Sequence, residues 1–222
     1  MFSFMLVLGI NTATSFTALT LIKKDGGYKT VFLRSWDSER DEAEKLLPQI
    51  KAALKKGTPD KIFVVTGPGA FTALRIGVTA ANTLAYAFNA PVVSCSTYEF
   101  LAASLPEKLK KKTAILLRAG GEFVAVKLPQ SKKVARIGRK ELEKFFASHN
   151  KKIEFAVSDM SAEEKKKCVL PGKIKWVAGK TMKPFDEVVA EFAGGKKAAK
   201  KQVAPRYLLP PKITVSKKEI FT

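Results

Sequence analysis

The chain has 222 residues, and 40 Lys and Arg residues against 20 Asp and Glu give it a formal net charge of +20. This length allows one large domain or two small ones, and the absence of an apolar run near the roughly 18 residues of a membrane span predicts no contact with a membrane. Most of the charge lies in residues 101–222, a basic half that fits a nucleic-acid partner and a lysine-rich solvated surface equally well.

Alternating apolar residues predict three strands at the start of the chain, over 4–10, 16–22 and 28–34. The apolar start has no basic segment before it and no cleavage site after it, so we expect a core strand and not a signal peptide. Two glycines at 26–27 predict the turn between the second and third strands.

A helix is predicted over 39–56, beginning after Ser38, because its first turn is acidic and its last turn is basic. Pro48 is unfavourable inside a helix, so it predicts either a kink or a helix that begins nearer Leu46. The apolar residues that form the stripe of this helix are Leu46, Leu47, Ile50 and Leu54.

A strand over 61–66 runs into a Gly-Pro-Gly turn and a helix over 70–88, which is the geometry of an anion site at a helix N-terminus. Small residues on this helix offer a second hypothesis, the close approach of a partner helix, and a third is that the glycines only make a tight turn. Three features of the segment argue against a phosphate site. It has no P-loop lysine, Thr72 stands at the third glycine of the dinucleotide motif, and Pro68 has no N–H group to donate. The turn and helix start comprise Gly67, Pro68, Gly69, Phe71, Thr72 and Arg75.

The second half repeats the order of the first in shorter form, after a predicted boundary at Pro106. We predict one half-domain over 1–106 and a smaller, basic one over 107–222, with a tail from 194 that crosses back. Residues 159–172 have no clear periodicity. The predicted elements are a strand at 91–95, a helix from Ser96, strands at 114–118, 122–128 and 133–137, a helix at 139–148, strands at 153–157 and 174–177, and a helix at 182–193.

The segment GPGAFTALRIGV at 67–78 closely resembles the GPGSFTGLRIGV segment of the TsaB family, also called YeaZ. The resemblance extends in register over the first hundred residues. In the second half only PRYLLPP matches, and there Leu209 stands where the family usually has Arg. The other segments that carry the resemblance are LGINTATS (8–15), EAEKLLP (42–48), APVVSCSTYE (90–99) and PRYLLPP (205–211).

The resemblance implies a two-lobed α/β fold of the actin/Hsp70/sugar-kinase (ASKHA) type with a shortened second lobe, in agreement with the predicted order of strands and helices. It implies a noncatalytic scaffold subunit for threonylcarbamoyl transfer to the tRNA adenosine beside the anticodon, pairing with TsaD and recruiting the ATPase TsaE. The helices at 39–56 and 70–88 would form the docking surface. The residues expected there are Leu46, Leu47, Ile50, Leu54, Ala73, Leu74, Gly77 and Ala80.

The residues that would support catalysis by this chain alone are missing. TsaD, in the same superfamily, binds a metal through two histidines one helical turn apart, and Thr97 and Leu101 take their places here. Asn11 stands where TsaB chains and sugar kinases usually have Asp, and an amide is neither a hard anionic ligand nor a base. The one histidine, His149, has no partner for a catalytic set. We expect no catalytic residue, no metal and no peptidase activity, and ATP or ADP only at an interface with partners.

Two other functions stay open on the sequence: a stand-alone ASKHA-type nucleotide-binding enzyme, and a homodimeric RNA-binding module that uses the lysine-rich half. In a TsaD complex, tRNA would be contacted by Lys110, Lys111 and Lys112. The lysine runs are not interleaved with aromatic residues as in single-strand binding surfaces. Cys95 and Cys168 lack metal-type spacing, so we expect reduced, buried thiols and a cytoplasmic protein.

Overall fold

The computed structural model describes residues 4–37, 41–149, 152–195 and 200–209. Its first sheet has the strand order β3-β2-β1-β4-β5. The first three strands are antiparallel, and β4 and β5 run parallel to β1. The central strands are apolar and buried, as expected for a sheet covered on both faces. The strands are β1 (Met5–Asn11), β2 (Phe16–Asp25), β3 (Gly27–Asp37), β4 (Lys61–Val65) and β5 (Val92–Cys95).

Three helices belong to the first half of the chain: α1 (Glu42–Leu54), α2 (Phe71–Ala87) and α3 (Thr97–Ser104). The predicted start of α1 at Ser38 lies outside the described residues. Pro48 lies inside α1 and is exposed on the side away from the core. Its missing N–H group removes a hydrogen bond from one turn of the helix only. A capping box begins α3, in which Ser96 Oγ accepts from the Glu99 N–H (3.2 Å) and Glu99 Oε2 accepts from the Ser96 N–H (2.6 Å).

The second sheet has the order β8-β7-β6-β9-β10, which repeats the connectivity of the first. Between β9 and β10 lies a helix of only 5 residues, in the place that the 17-residue α2 occupies in the first lobe. The protein therefore has the two-lobed ASKHA-like fold with a reduced second lobe. The elements are α4 (Glu107–Lys110), β6 (Thr113–Arg118), β7 (Phe123–Lys127), β8 (Ala135–Gly138), α5 (Leu142–His149), β9 (Phe155–Ser158), α6 (Ala162–Lys166), β10 (Lys175–Trp176) and α7 (Phe185–Gly194).

Two short helices, α4 and α6, lie in segments where the sequence gives only a boundary, after Pro106, or no clear periodicity, over 159–172. Each has little more than one turn, which is too short for a 3.6-residue periodicity to appear in the sequence. The helix α6 is specified instead by its cap: Ser161 Oγ accepts from the Glu164 N–H at 3.3 Å, and Glu164 accepts in return from the Ser161 N–H at 3.0 Å.

The helix α7 follows the second sheet in sequence but packs on the first sheet, against β1 to β4. Aromatic rings fix it there: Phe63 on β4 lies 6.3 Å from Phe185 and 5.3 Å from Phe192, between ring centroids. Phe100 on α3 lies 5.9 Å from Phe185. The predicted second half-domain over 107–222 thus supplies one helix to the core of the first lobe, because that face of the first sheet would otherwise expose large apolar side chains.

Both cysteines are buried, and neither forms a disulfide with another described residue. Within the described ranges, the helices are all too short or too polar to cross a bilayer.

Candidate docking site

The Gly-Pro-Gly turn joins β4 to α2 and is held by the first residue of α3. Gly67 has a left-handed backbone (φ +99°), which glycine adopts without strain. The Thr97 N–H donates to the Gly67 carbonyl at 2.8 Å, and the Thr97 hydroxyl donates to the Pro68 carbonyl at 2.6 Å. The turn is therefore part of the packed interior, where Gly67 and Pro68 are both buried.

Glycines at and after this turn let other parts of the same chain approach closely. A methyl group on Gly67 would lie 2.5 Å from the Arg206 carbonyl oxygen. One on Gly69 would overlap the Ala13 carbonyl, and one on Gly77 would overlap the Thr12 side chain. The β1–β2 connection and the C-terminal segment thus pack directly against the turn and the first turns of α2, an arrangement that favours the tight-turn hypothesis.

Asn11, at the end of β1, closes the turn into β2. Its side-chain N–H group donates to Thr14 Oγ1 at 2.8 Å and to the Phe16 carbonyl at 3.3 Å, and its Oδ1 accepts from the Ala13 N–H at 3.1 Å. The residue is fully buried. An ionised Asp has no donor for the first two bonds, so the amide has a specific structural role at this position.

The two residues at the positions of the metal-binding histidines of TsaD have structural roles in this protein. Thr97 donates its hydroxyl to Pro68, and Leu101 is 1% exposed in the core. In the part of the chain that the structure describes, no cluster of three or more His, Cys, Asp and Glu residues could hold a metal ion. The side chain of His149 lies outside that part.

An apolar groove of about 550 Å³ runs between α1 and α2 on the outer face of the first lobe. Leu47 is 62% exposed there and Phe71 is 39% exposed, whereas Ile50 is buried at the floor. Among the described residues that line it, Arg75 is the charged one. The lining residues are Ala43, Leu47, Ile50, Phe71, Thr72, Arg75, Ile76, Thr79, Ala80, Thr83 and Leu84.

The groove contains only part of the predicted docking set. Leu47, Ile50 and Ala80 line it, and Leu54 is half-buried against the protein's own core. Four further residues of the set are buried because the inner face of each helix packs within the lobe, and their contact with a partner stays a prediction. These four residues are Leu46, Ala73, Leu74 and Gly77.

Sequence reasoning missed the outer face of α2. Ile76, Thr79, Thr83 and Leu84 recur with helical spacing and face the groove, opposite the buried stripe. The signal was present, since α2 carries apolar residues on two faces while a single sheet buries only one. The groove is also lined by Phe71, Thr72 and Arg75, predicted as part of the turn and helix start.

The C-terminal segment closes one end of the groove. Tyr207 stacks near Phe71, with ring centroids 4.9 Å apart, and the Arg206 N–H donates to the Thr66 carbonyl at 2.7 Å. Asn82 on α2 holds the segment through two bonds: its side-chain N–H donates to the Val203 carbonyl at 2.9 Å, and its Oδ1 accepts from the Val203 N–H at 3.0 Å. These contacts hold the segment against the first lobe, and Leu209 near its end is 43% exposed.

Two of the three lysines predicted to contact tRNA are held in ion pairs. Lys110 lies 2.9 Å from Glu107, and Lys112 lies 2.7 Å from Glu154. Lys111 is exposed on the same surface. Exposed pairs of this kind contribute little to stability and separate easily, so the tRNA contact stays a prediction.

Comparison with known proteins finds relatives named for tRNA threonylcarbamoyladenosine biosynthesis. The family model described as "TsaD: tRNA N6-adenosine threonylcarbamoyltransferase" matches residues 37–213. The tRNA threonylcarbamoyladenosine biosynthesis protein TsaB of Buchnera aphidicola subsp. Schizaphis graminum is 29% identical over 116 residues, which are 50% of this chain and 53% of the relative. The protein of the same name from Bacillus subtilis is 30% identical over 108 residues, 45% of this chain and 44% of the relative. The chain thus spans about half the length of the curated relatives it matches.

Solved structures agree on the fold. The structure titled YeaZ from Pseudomonas aeruginosa is 21% identical, with a TM-score of 0.66, and the match covers 92% of this chain and 100% of that one. A second Pseudomonas aeruginosa structure, described as similar to peptidase YeaZ, has a TM-score of 0.68 at the same identity and coverage.

Proposed function

This chain belongs to the family of the tRNA N6-adenosine threonylcarbamoyltransferase (TsaD) model, and within it to the TsaB (YeaZ) group, and we propose that it is a noncatalytic subunit of tRNA threonylcarbamoyladenosine biosynthesis. It pairs with a TsaD subunit, and the pair recruits the ATPase TsaE. The transfer chemistry resides in TsaD, because Thr97 and Leu101 stand in this chain where TsaD has its metal-binding histidines.

The observation that carries this proposal is the exposed groove between α1 and α2. Leu47 and Phe71 leave large apolar surfaces in water there, which is typical of a surface that a partner covers. A groove between two neighbouring helices accepts helices from a partner, since ridges of side chains pack into grooves at small crossing angles. Arg75 at the rim offers a charge that a partner carboxylate can pair with.

Nucleotide binding, in this proposal, takes place only where the partners meet. The Gly-Pro-Gly turn is covered by the chain's own segments around Ala13 and Arg206, so its N–H groups have little room for a phosphate. Isolated protein should therefore give no heat signal with ATP or ADP in calorimetry, whereas the assembled complex should.

A single substitution in the groove tests the docking. Leu47→Asp places a charge in the middle of the apolar contact, and because the side chain is 62% exposed, the variant should keep its fold. We expect binding to the organism's own TsaD to fall by at least about 30-fold, because an unpaired buried charge costs several kcal/mol. Co-purification and a tRNA modification assay with the purified partners measure the effect.

Val169→Asp is the matched control, since Val169 is an exposed aliphatic residue (45%) on the second lobe, away from the groove. It should bind TsaD like the wild type. A folded Leu47→Asp protein that still binds TsaD and supports modification would contradict the proposal. Loss of a homodimer in light scattering, without any effect on TsaD, would favour the homodimeric RNA-binding module instead.

A further inference from the structure

A second open groove lies at the C-terminal end of α2, on the edge of the first sheet, and its volume is about 640 Å³. The ring of Tyr86 stands beside it and is 85% exposed. Lys200, Lys201 and Gln202 form its other wall, and Asn89 lies at its end. None of the described residues that line it is acidic.

Backbone hydrogen bonds hold the two lysines beside the tyrosine. The Lys200 N–H donates to the Val92 carbonyl and the Val92 N–H donates to the Lys200 carbonyl, both at 2.8 Å. Val92 begins β5, which is the edge strand of the first sheet, so residue 200 is paired with a rigid element. Both lysine side chains are exposed. Their placement next to Tyr86 is therefore a property of the folded protein.

A flat aromatic face beside two cations is the arrangement that binds single-stranded nucleic acid. A base stacks on the ring, and the phosphates on either side of it pair with the ammonium groups. The amides of Asn89 and Gln202 can donate to and accept from the edge of a base. An acidic peptide would use the lysines and leave the ring unoccupied, so the groove fits a nucleic acid better.

We propose that Tyr86, Lys200 and Lys201 form a contact site for an unpaired stretch of an RNA strand. The choice of RNA rests on the proposed role in tRNA modification, whereas the single-strand chemistry rests on the groove itself. The site lies at the last turn of α2, next to the end of the docking groove formed by Thr83 and Leu84 and at the opposite end of the helix from Phe71.

The test measures the anisotropy of a labelled oligouridylate of about ten nucleotides, titrated with the full chain at several salt concentrations. Tyr86→Ala should weaken binding by about 5-fold to 100-fold, and Tyr86→Phe, which keeps the ring, should bind like the wild type. The double variant Lys200→Ala/Lys201→Ala should reduce the slope of log K against log salt by about 1.4, for two lost phosphate contacts.

Tyr28→Ala is the matched aromatic control, because Tyr28 is 38% exposed on β3 and the Lys24 ammonium already lies 5.8 Å from its ring centroid. It should leave RNA binding unchanged. Unaltered affinity in both Tyr86→Ala and the lysine pair would overturn the site, as would a loss confined to TsaD binding. If the oligonucleotide responds as expected while Leu47→Asp leaves TsaD binding intact, the RNA site stands and the docking proposal fails.

Discussion

At the residue scale, a small side chain in the first lobe allows α2 to lie close to the β1–β2 connection. Gly77 lies in the interior of α2, where alanine is normally more stable by about 1 kcal/mol. It faces Thr12, whose buried hydroxyl finds no hydrogen-bond partner within the described residues. The glycine is therefore explained by the space that the β1–β2 turn occupies, and the cost in helix propensity is offset by that packing.

This explanation predicts a coupling between the two residues. Gly77→Ala should lower the free energy of unfolding by about 1–3 kcal/mol, because its methyl group overlaps Thr12. In a Thr12→Ala background the same change should cost much less, since the overlapping atoms are gone. Denaturant unfolding of the four proteins measures the coupling. Gly172→Ala, at a site with open space, is the control, and equal costs in both backgrounds would refute the explanation.

At the scale of elements, α2 connects the surfaces of the first lobe. Its inner face is buried against the sheet, its outer face lines the docking groove, and its last turn carries Tyr86. Asn82 on the same helix holds the C-terminal segment, which in turn brings Tyr207 against Phe71. Both apolar faces of α2 therefore have a role: the inner one packs on the sheet, and the outer one lines the groove.

Removal of the Asn82 side-chain bonds should release this segment. In Asn82→Leu, amide hydrogen exchange at Val203 should become faster by about 10-fold or more, because two hydrogen bonds worth about 1 kcal/mol each are lost. Asn82→Asp keeps the acceptor for the Val203 N–H and should give an intermediate rate. The strands of the first sheet should keep their protection in both variants. Unchanged exchange at Val203 in Asn82→Leu would mean that other contacts hold the segment.

At the scale of the whole molecule, a buried carboxyl group of the second lobe lies close enough to the first lobe to act on a tyrosine there. Asp159 follows β9 and is 1% exposed, and it accepts from the Arg118 N–H at 3.2 Å. Burial raises the pKa of Asp159 to about 6, although Arg118 acts to lower it. Across the lobe junction, burial and then the charge of Asp159 raise the pKa of Tyr98 on α3. Burial near this junction therefore makes Asp159 easier to protonate than an exposed aspartate.

This pKa predicts a dependence of stability on pH. The folded state holds the Asp159 proton more tightly than the unfolded chain, so its contribution to stability is present below pH 3.8 and is lost as the pH rises through about 6. The loss is about 2–3 kcal/mol. Asp159→Asn should not show this loss, whereas Asp25→Asn, at an exposed carboxylate, should keep it. Unfolding in urea at intervals between pH 4 and 7 tests this, and identical pH profiles for wild type and Asp159→Asn would contradict it.

Local patterns in the sequence predict most of the elements and the family. The strands over 4–10, 16–22 and 28–34 and the helix over 70–88 are confirmed within a few residues, because alternation and 3.6-residue periodicity depend only on neighbouring side chains. The turn motif at 67–78 identifies the TsaB family, and that identification is confirmed. The two-lobed fold is also confirmed, since its order of strands and helices can be read along the chain.

Only the tertiary structure determines which face of each helix is buried and which face lines a groove. The open groove contains Leu47 and Ile76 and excludes Leu46 and Gly77, a choice that depends on how each helix rotates against the sheet. The same holds for contacts between distant residues: α7 packs on the first sheet, and Tyr86 lies beside Lys200 only because residue 200 pairs with β5. The sequence by itself determined the elements, the fold and the residue types available for chemistry. The packing of remote segments determined the surfaces on which they act, because no local pattern encodes it.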